Sequence, residues 1–239
     1  MPLLDIQFQQ QTLFEVMQTN NSAVYGVVLN DHDSLAALAS QLDHAPYKAA
    51  PIAPVLYIKP KNTFTANNTI ITLPSEETSV EIGATLALVM KKRATCVATN
   101  EALSHIAGVG LVADLSLPHD SYYRPAIREK CFDGALAIGD KLVAIESLGD
   151  IENLAIEVQI NGQLVATKSF TSLVRKADQL IVDVTDYMTL RAADVLLLTV
   201  SYQAEQATCD DKVSLTLIDT TTHQQQAHLS FEIQAGDCK

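Results

Sequence analysis

The 239-residue chain carries 28 acidic and 16 basic residues, a formal net charge of −12. That balance excludes nucleic-acid phosphates and anionic membranes as partners, because a surface of the same sign is repelled by both. With 48% hydrophobic and 18% charged residues the chain can bury a full core, and its length suits one large domain.

The start, MPLLDIQFQQQ, lacks the basic region and long apolar stretch of a signal peptide. The longest apolar runs, such as Val195 to Val200, fall far short of the ~20 residues that span a bilayer, so a cytoplasmic location is expected. Cys96, Cys131, Cys209 and Cys238 form no C-x-x-C pair, which predicts four reduced thiols rather than a zinc site or a disulfide framework. Residues 12 to 19, TLFEVMQT, suit a short helix or a strand closed by Asn20, Asn21 and Ser22, and residues 1–22 are read as an extension to a single domain over 23–239.

Val24 to Leu29 is an apolar β-branched run that predicts a buried strand. Leu35, Leu38, Ala39 and Leu42 then fall at i, i+3, i+4 and i+7, an amphipathic helix capped by Asp33 or Ser34 and ended before Pro46. His32 and His44 sit where a surface or cap role is commoner than catalysis. Pro51, Pro54 and Pro60 frame a strand from Val55 to Ile58, and Lys59 at its end either faces an anionic ligand or, more commonly for such a lysine, is solvated. Strands are expected at Thr69–Pro74, Ser79–Met90 and Gly110–Ala113. A short helix over 100–107, with Gly108 as its stop, lies between the last two.

In the second half, Leu154, Ile156, Val158 and Ile160 alternate with residues expected to point outward. Asn161-Gly162 then makes a type I′ turn into Leu164 to Thr167. Leu173, Ala177, Leu180, Ile181, Val184 and Tyr187 recur at helical spacing from Thr171. Val213–Leu217 and Leu229–Ile233 read as a closing pair of strands around a polar loop.

The densest chemistry lies in DLSLPHDSYYRPAIREKCFDGALAIGD, Asp114 to Asp140, where Tyr122 and Tyr123 interleave with Arg124, Arg128 and Lys130. These cations either hold an anionic ligand or pair with Asp120, Glu129 and Asp133 to tie a loop down. RPAIREKCFDG followed by IGD, with the strand ending in Lys-Pro at 59–60 and the later MTLRAADVLLLT, resembles the fumarylacetoacetate hydrolase family, within it the isomerase/decarboxylase branch of 4-hydroxyphenylacetate catabolism. The likeness runs from Val24 to about Val200.

The resemblance implies an α+β fold, a β-rich roll of mixed sheets with few short helices, in agreement with the strands read above. It implies metal-assisted chemistry in which a cation chelates a 2-oxo acid and stabilises its enolate. It also implies site residues. Lys130 matches the catalytic lysine of the family's K-x-F-D segment. Asp114 matches a metal-binding aspartate, and Arg124, Arg128, Tyr123 and Lys59 stand where they face a substrate. The family's remaining two metal ligands are glutamates one residue apart on a strand, and here Gly83 and Thr85 occupy those positions. Glu81, about 6.6 Å along the strand from Gly83, is a weak substitute. The family's N-Y-x-x-H-x-x-E pattern is absent, and its Thr-Gly-Thr-Pro reads Thr199-Val200-Ser201 here.

Two of three carboxylates being replaced, no cofactor is expected, with Mg2+ or Mn2+ the ion if the site functions. The preferred expectation is a subunit with a degenerate metal site, a homodimer or a heterodimer with a catalytic homologue. The alternatives are an active decarboxylase, isomerase or hydrolase of a 2-oxo acid built around Asp114, Lys130 and Glu81, or a binding protein for a small dicarboxylate held by Arg124, Arg128 and Lys130. Restoring Gly83→Glu and Thr85→Glu is expected to create metal affinity.

Overall fold

The computed structural model describes residues 11–119 and 121–236. Among these, the strands are β1 (Val24–Val28), β2 (Val55–Lys59), β3 (Phe64–Ala66), β4 (Thr69–Thr72), β5 (Ser79–Met90), β6 (Ile106–Ser116), β7 (Leu136–Ala144), β8 (Leu154–Ile160), β9 (Gln163–Ser169), β10 (Val195–Leu197), β11 (Gln206–Thr208), β12 (Lys212–Asp219) and β13 (Gln225–Gln234). The α-helices are α1 (Leu13–Thr19), α2 (His32–Leu42), α3 (Ile127–Lys130) and α4 (Ala177–Thr185). One sheet runs β2-β1-β10-β5-β6-β7-β3, with β11 also on β5, and the other runs β4-β13-β12-β8-β9. Pairing is mostly antiparallel, but β1 with β10, β3 with β7 and β4 with β13 are parallel, so both sheets are mixed.

The centre of the larger sheet is the β5–β6 pair. After Ser79, all eleven residues of β5 are buried, because Val, Ile, Leu and Ala face the core on one side and a second packed layer on the other. Leu86 and Leu111 of this sheet share one core with Leu215, Leu217 and Leu229 of the smaller sheet. The opposite face of the larger sheet is covered by α1. Thr12 and Glu15 form a capping box that starts the helix, which settles 12–19 as helical. Leu13 lies against Gly110 so closely that a Cβ there would stand 2.2 Å from Leu13 Cδ2, so a larger residue in β6 would push that leucine aside.

Several sequence expectations shift. The cap of α2 is Asp31, not Asp33 or Ser34: its backbone is extended (φ −133°, ψ 149°) and its carboxylate accepts from Ser34 N at 2.8 Å. The expected α-helix over 100–107 is a 3-10 helix, Thr99–His105, and Gly108 does not stop it but sits inside β6, paired with Val89 and Ala144. Strand pairing captures Ile106, whose side chain is buried. Asp114 likewise lies within β6, which continues to Ser116. Helix α4 begins only at Ala177, with Leu173 in the preceding loop and Tyr187 beyond its end and 61% exposed. The β8–β9 hairpin turns as expected, with φ of 54° at Asn161 and 78° at Gly162, both in the region a type I′ turn requires. No described helix is long and apolar enough to cross a membrane. Cys96, Cys131 and Cys209 are free thiols, and Cys238 lies outside the described residues.

Candidate functional site

The antiparallel register of β5 and β6 sets Glu81 opposite Ser116, Gly83 opposite Asp114 and Thr85 opposite Val112. Directly opposed residues share a face, and residues two apart stay on it, so these six side-chain positions form one patch. Asp114 is its only carboxylate besides Glu81, and it is fully buried.

Three side chains close on Asp114. Lys59, from the end of β2, places Nζ 2.7 Å from Oδ1 as an ion pair poorly aligned for a hydrogen bond. Lys130, from the end of α3, places Nζ 3.3 Å from Oδ2, and the hydroxyl of Tyr57 donates to the same oxygen. Lys130 also stands 4.8 Å from the centre of the Tyr57 ring, a cation–π contact. Lys59 is sealed in: its ammonium donates to the carbonyls of Ala135 at 2.9 Å, of Leu115 at 3.4 Å and of Lys130 as well. Its three N–H groups are thereby matched to three acceptors.

Burial alone pushes the Asp114 carboxyl up, but the charges of Lys130 and Lys59 and the bond from Tyr57 outweigh it and hold the group below its usual range. Burial depresses the Lys59 ammonium despite Asp114 beside it. Burial and then the Asp114 charge push the Tyr57 hydroxyl well up, so Tyr57 stays a proton donor.

The positions expected to carry the family's glutamates, Gly83 and Thr85, offer no carboxylate oxygen to a cation. A Cβ on Gly83 would lie 2.4 Å from the backbone oxygen of Asp114 and 2.7 Å from Val200 Cγ1. The double restoration expected from sequence therefore meets a filled space: Val200, standing in for the family's glycine, fills it. Thr85 Oγ1 accepts from Thr199 N at 3.3 Å, and Thr199 Oγ1 donates to Asp31 Oδ2 at 2.9 Å. Asp31 also takes Ser34 Oγ at 3.0 Å and pairs with Lys168 of β9 at 3.4 Å. Anchored on Asn30, the family's His and Glu positions fall on Ser34 and Ala37, neither an acid nor a base at neutral pH. Among the described residues, no group of three His, Cys, Asp or Glu side chains is placed to hold a metal ion.

The sequence candidates divide. Lys130, Lys59 and Asp114 come together. Lys59 is neither solvated nor on a ligand-facing wall, being 1% exposed beneath Asp114. Arg128 points away to Glu77, 2.6 Å from its Oε1, and Asp133 accepts from Asn62, so the expected pairing of this segment with its own acids gives way to partners elsewhere. Asp120 lies outside the described residues. Tyr123 and Arg124 line a cavity of about 350 Å3, with Tyr57, Tyr122 and Lys130. Tyr57 went unnoticed in the sequence. The signal was there, since it precedes Lys59 by two residues and so shares its side of β2. The Asp31, Thr199 and Lys168 cluster had no such signal, because its members are far apart in the chain.

The same roll is found in the fumarylpyruvate hydrolase of Pseudomonas aeruginosa, solved with Mn2+ and pyruvate (TM-score 0.73, 16% identity, 90% of each chain). It is found again in the 5-carboxymethyl-2-hydroxymuconate delta-isomerase of Mycobacterium smegmatis (TM-score 0.71, 21% identity, 90% of this chain and 77% of that one). At these identities the likeness is one of fold. The family model described as Fumarylacetoacetate (FAA) hydrolase C-terminal matches residues 23–217, and the chain belongs to the fumarylacetoacetate hydrolase family. It is 38% identical over 175 residues to the 4-hydroxyphenylacetate degradation bifunctional isomerase/decarboxylase of Escherichia coli, a match covering 73% of this chain and 40% of that protein. The chain thus spans about two fifths of the length of that relative.

Proposed function

We propose that this chain is a subunit of an isomerase/decarboxylase system of aromatic catabolism whose cation site is closed by its own side chains, and that it works by assembling with a second family subunit that carries the complete ligand set. The observation that carries this reading is the engagement of both Asp114 oxygens by the ammoniums of Lys59 and Lys130. A divalent ion binds a carboxylate oxygen at about 2.0–2.6 Å, so it would displace or crowd two like charges in a buried space. The donor set does not fit: with Gly83 and Thr85 contributing no carboxylate, one oxygen pair faces two ammoniums.

The residues present do something else. Lys59 and Lys130 neutralise Asp114, and together with Tyr57 they tie β2, β6 and α3 to one point. The relative of the isomerase/decarboxylase type supports the pathway, and the substrate belongs to the partner subunit in this reading. An active site rearranged around Asp114, Lys130 and Glu81 is disfavoured, because Asp114 has no exposed surface from which to reach a ligand.

Elemental analysis of the chain purified with manganese present tests the reading. No stoichiometric ion is expected, and about one tightly held ion per chain would overturn it.

A further inference from the structure

Away from the closed cation site and independent of it, we propose that Asn161 is a site of spontaneous deamidation gated by the fold: its carboxamide latches the β8–β9 turn to the start of β12, and when that latch opens Gly162 converts it to aspartate or isoaspartate. Asn161-Gly162 is the one Asn-Gly pair in the sequence. Gly162 is exposed, and a Cβ built on it would meet nothing within 4 Å, so no side chain shields its nitrogen.

The step balances within these two residues and water. The Gly162 nitrogen attacks Cγ of Asn161 and closes a five-membered succinimide. The Cγ–Nδ2 bond breaks, and Nδ2 leaves as ammonia with the proton that the Gly162 nitrogen gives up. Water then opens either ring C–N bond, leaving an aspartate or an isoaspartate whose main chain runs through the former side chain. The fold holds the carboxamide off this path. Its Nδ2 donates to Asp211 Oδ1 at 2.6 Å and its Oδ1 accepts from Lys212 N at 2.9 Å, so Cγ reaches the Gly162 nitrogen only after both bonds part. Asp211 is itself fixed, its other oxygen taking Thr208 N at 2.7 Å and Thr208 Oγ1 at 2.9 Å. The Thr208 amide, and after it the Asn161 amide, hold the Asp211 carboxyl below its usual range, so it is ionised at neutral pH.

The product alters the turn. A carboxylate in place of the donating amide faces the Asp211 carboxylate across what was a hydrogen bond, and like charges at that distance repel. Strand β9 is the edge of its sheet, paired with β8 alone, and it carries Lys168 to within 3.4 Å of Asp31, so the altered turn loosens the strand that supplies this cation.

The test is peptide mapping by mass spectrometry of the full chain incubated in heavy-oxygen water at mildly alkaline pH, once folded and once in urea. Heavy oxygen should enter at residue 161 as both isomers, at least about ten-fold faster in urea than in the folded protein, the factor that one latch hydrogen bond accounts for. Asp211→Ala, which removes the Nδ2 acceptor, should speed labelling of the folded protein by about ten-fold and leave the rate in urea unchanged. Asp219→Ala, which removes a similar set of loop bonds at the far end of β12, should change neither rate. No label at residue 161 in urea, equal rates folded and in urea, or folded Asp211→Ala no faster than Asp219→Ala would each overturn the proposal. The comparison of folded with urea-treated wild type needs no variant to fold, and none of these results bears on the metal content that tests the closed cation site.

Discussion

Nζ of Lys59 stands 2.7 Å from Oδ1 of Asp114, and neither side chain has any exposed surface. Such a pair is held by what surrounds it: the carbonyls of Lys130 and Ala135 complete the ammonium, while Lys130 and Tyr57 complete the carboxylate. Taking away one partner strands the other in a dry interior.

Lys59→Met should therefore destabilise the protein by about 3–5 kcal/mol. Adding Asp114→Asn should recover part of that loss, because the uncompensated charge goes with it. Urea unfolding of both single variants and the double variant reads the coupling. Strictly additive losses would show that the pair is incidental.

Gly83→Ala should cost about 1–3 kcal/mol from overpacking against Asp114 and Val200, whereas Gly149→Ala, with nothing within 4 Å of its Cβ position, should be near neutral. The paired change Gly83→Glu with Thr85→Glu should destabilise the fold without creating manganese affinity, as calorimetry on any folded fraction would record. A folded double variant that binds manganese tightly would mean that β5 moves aside easily.

Asp31 should contribute to the loss of stability in acid. Burial raises its carboxyl, but Lys168 and the bonds from Ser34 and Thr199 bring it below its ordinary value of 3.8. A depressed carboxyl stabilises the fold fully above the unfolded value and loses that contribution as pH falls through the lower folded one. Asp31→Asn, which keeps the capping ability, should lower stability at neutral pH and converge on the wild type below pH 3.8. Denaturation midpoints of the two proteins that stay parallel across that range would contradict this.

Assembly follows from the proposed function. The chain should sediment as a dimer or bind a family homologue that retains both strand glutamates. A 25.9 kDa monomer at all micromolar concentrations, with no such binding, would count against it.

The sequence by itself determined most of the strands, the β8–β9 turn and the family. These are properties of local pattern: alternation, β-branched runs, and Asn-Gly with both residues in the left-handed region. The resemblance to the family also singled out Asp114, Lys130, Gly83 and Thr85, since the family's motifs say where its carboxylates and lysine would stand and the strand period says which of them share a face. Only the tertiary structure decided what replaced them. Lys59 read as a substrate-facing or solvated strand end because its acceptors, Leu115, Lys130 and Ala135, lie 56 to 76 residues away. Arg128 read as part of the site, but its place on α3 turns it toward Glu77, 51 residues earlier. Local spacing sets which way a side chain points along its own strand or helix, while the partner it meets depends on which distant segment the packing brings beside it. That is why Asp114, Lys59 and Lys130 could be named from the sequence with the family's motifs beside it, while Tyr57 was missed and the pairing of all four could not be read.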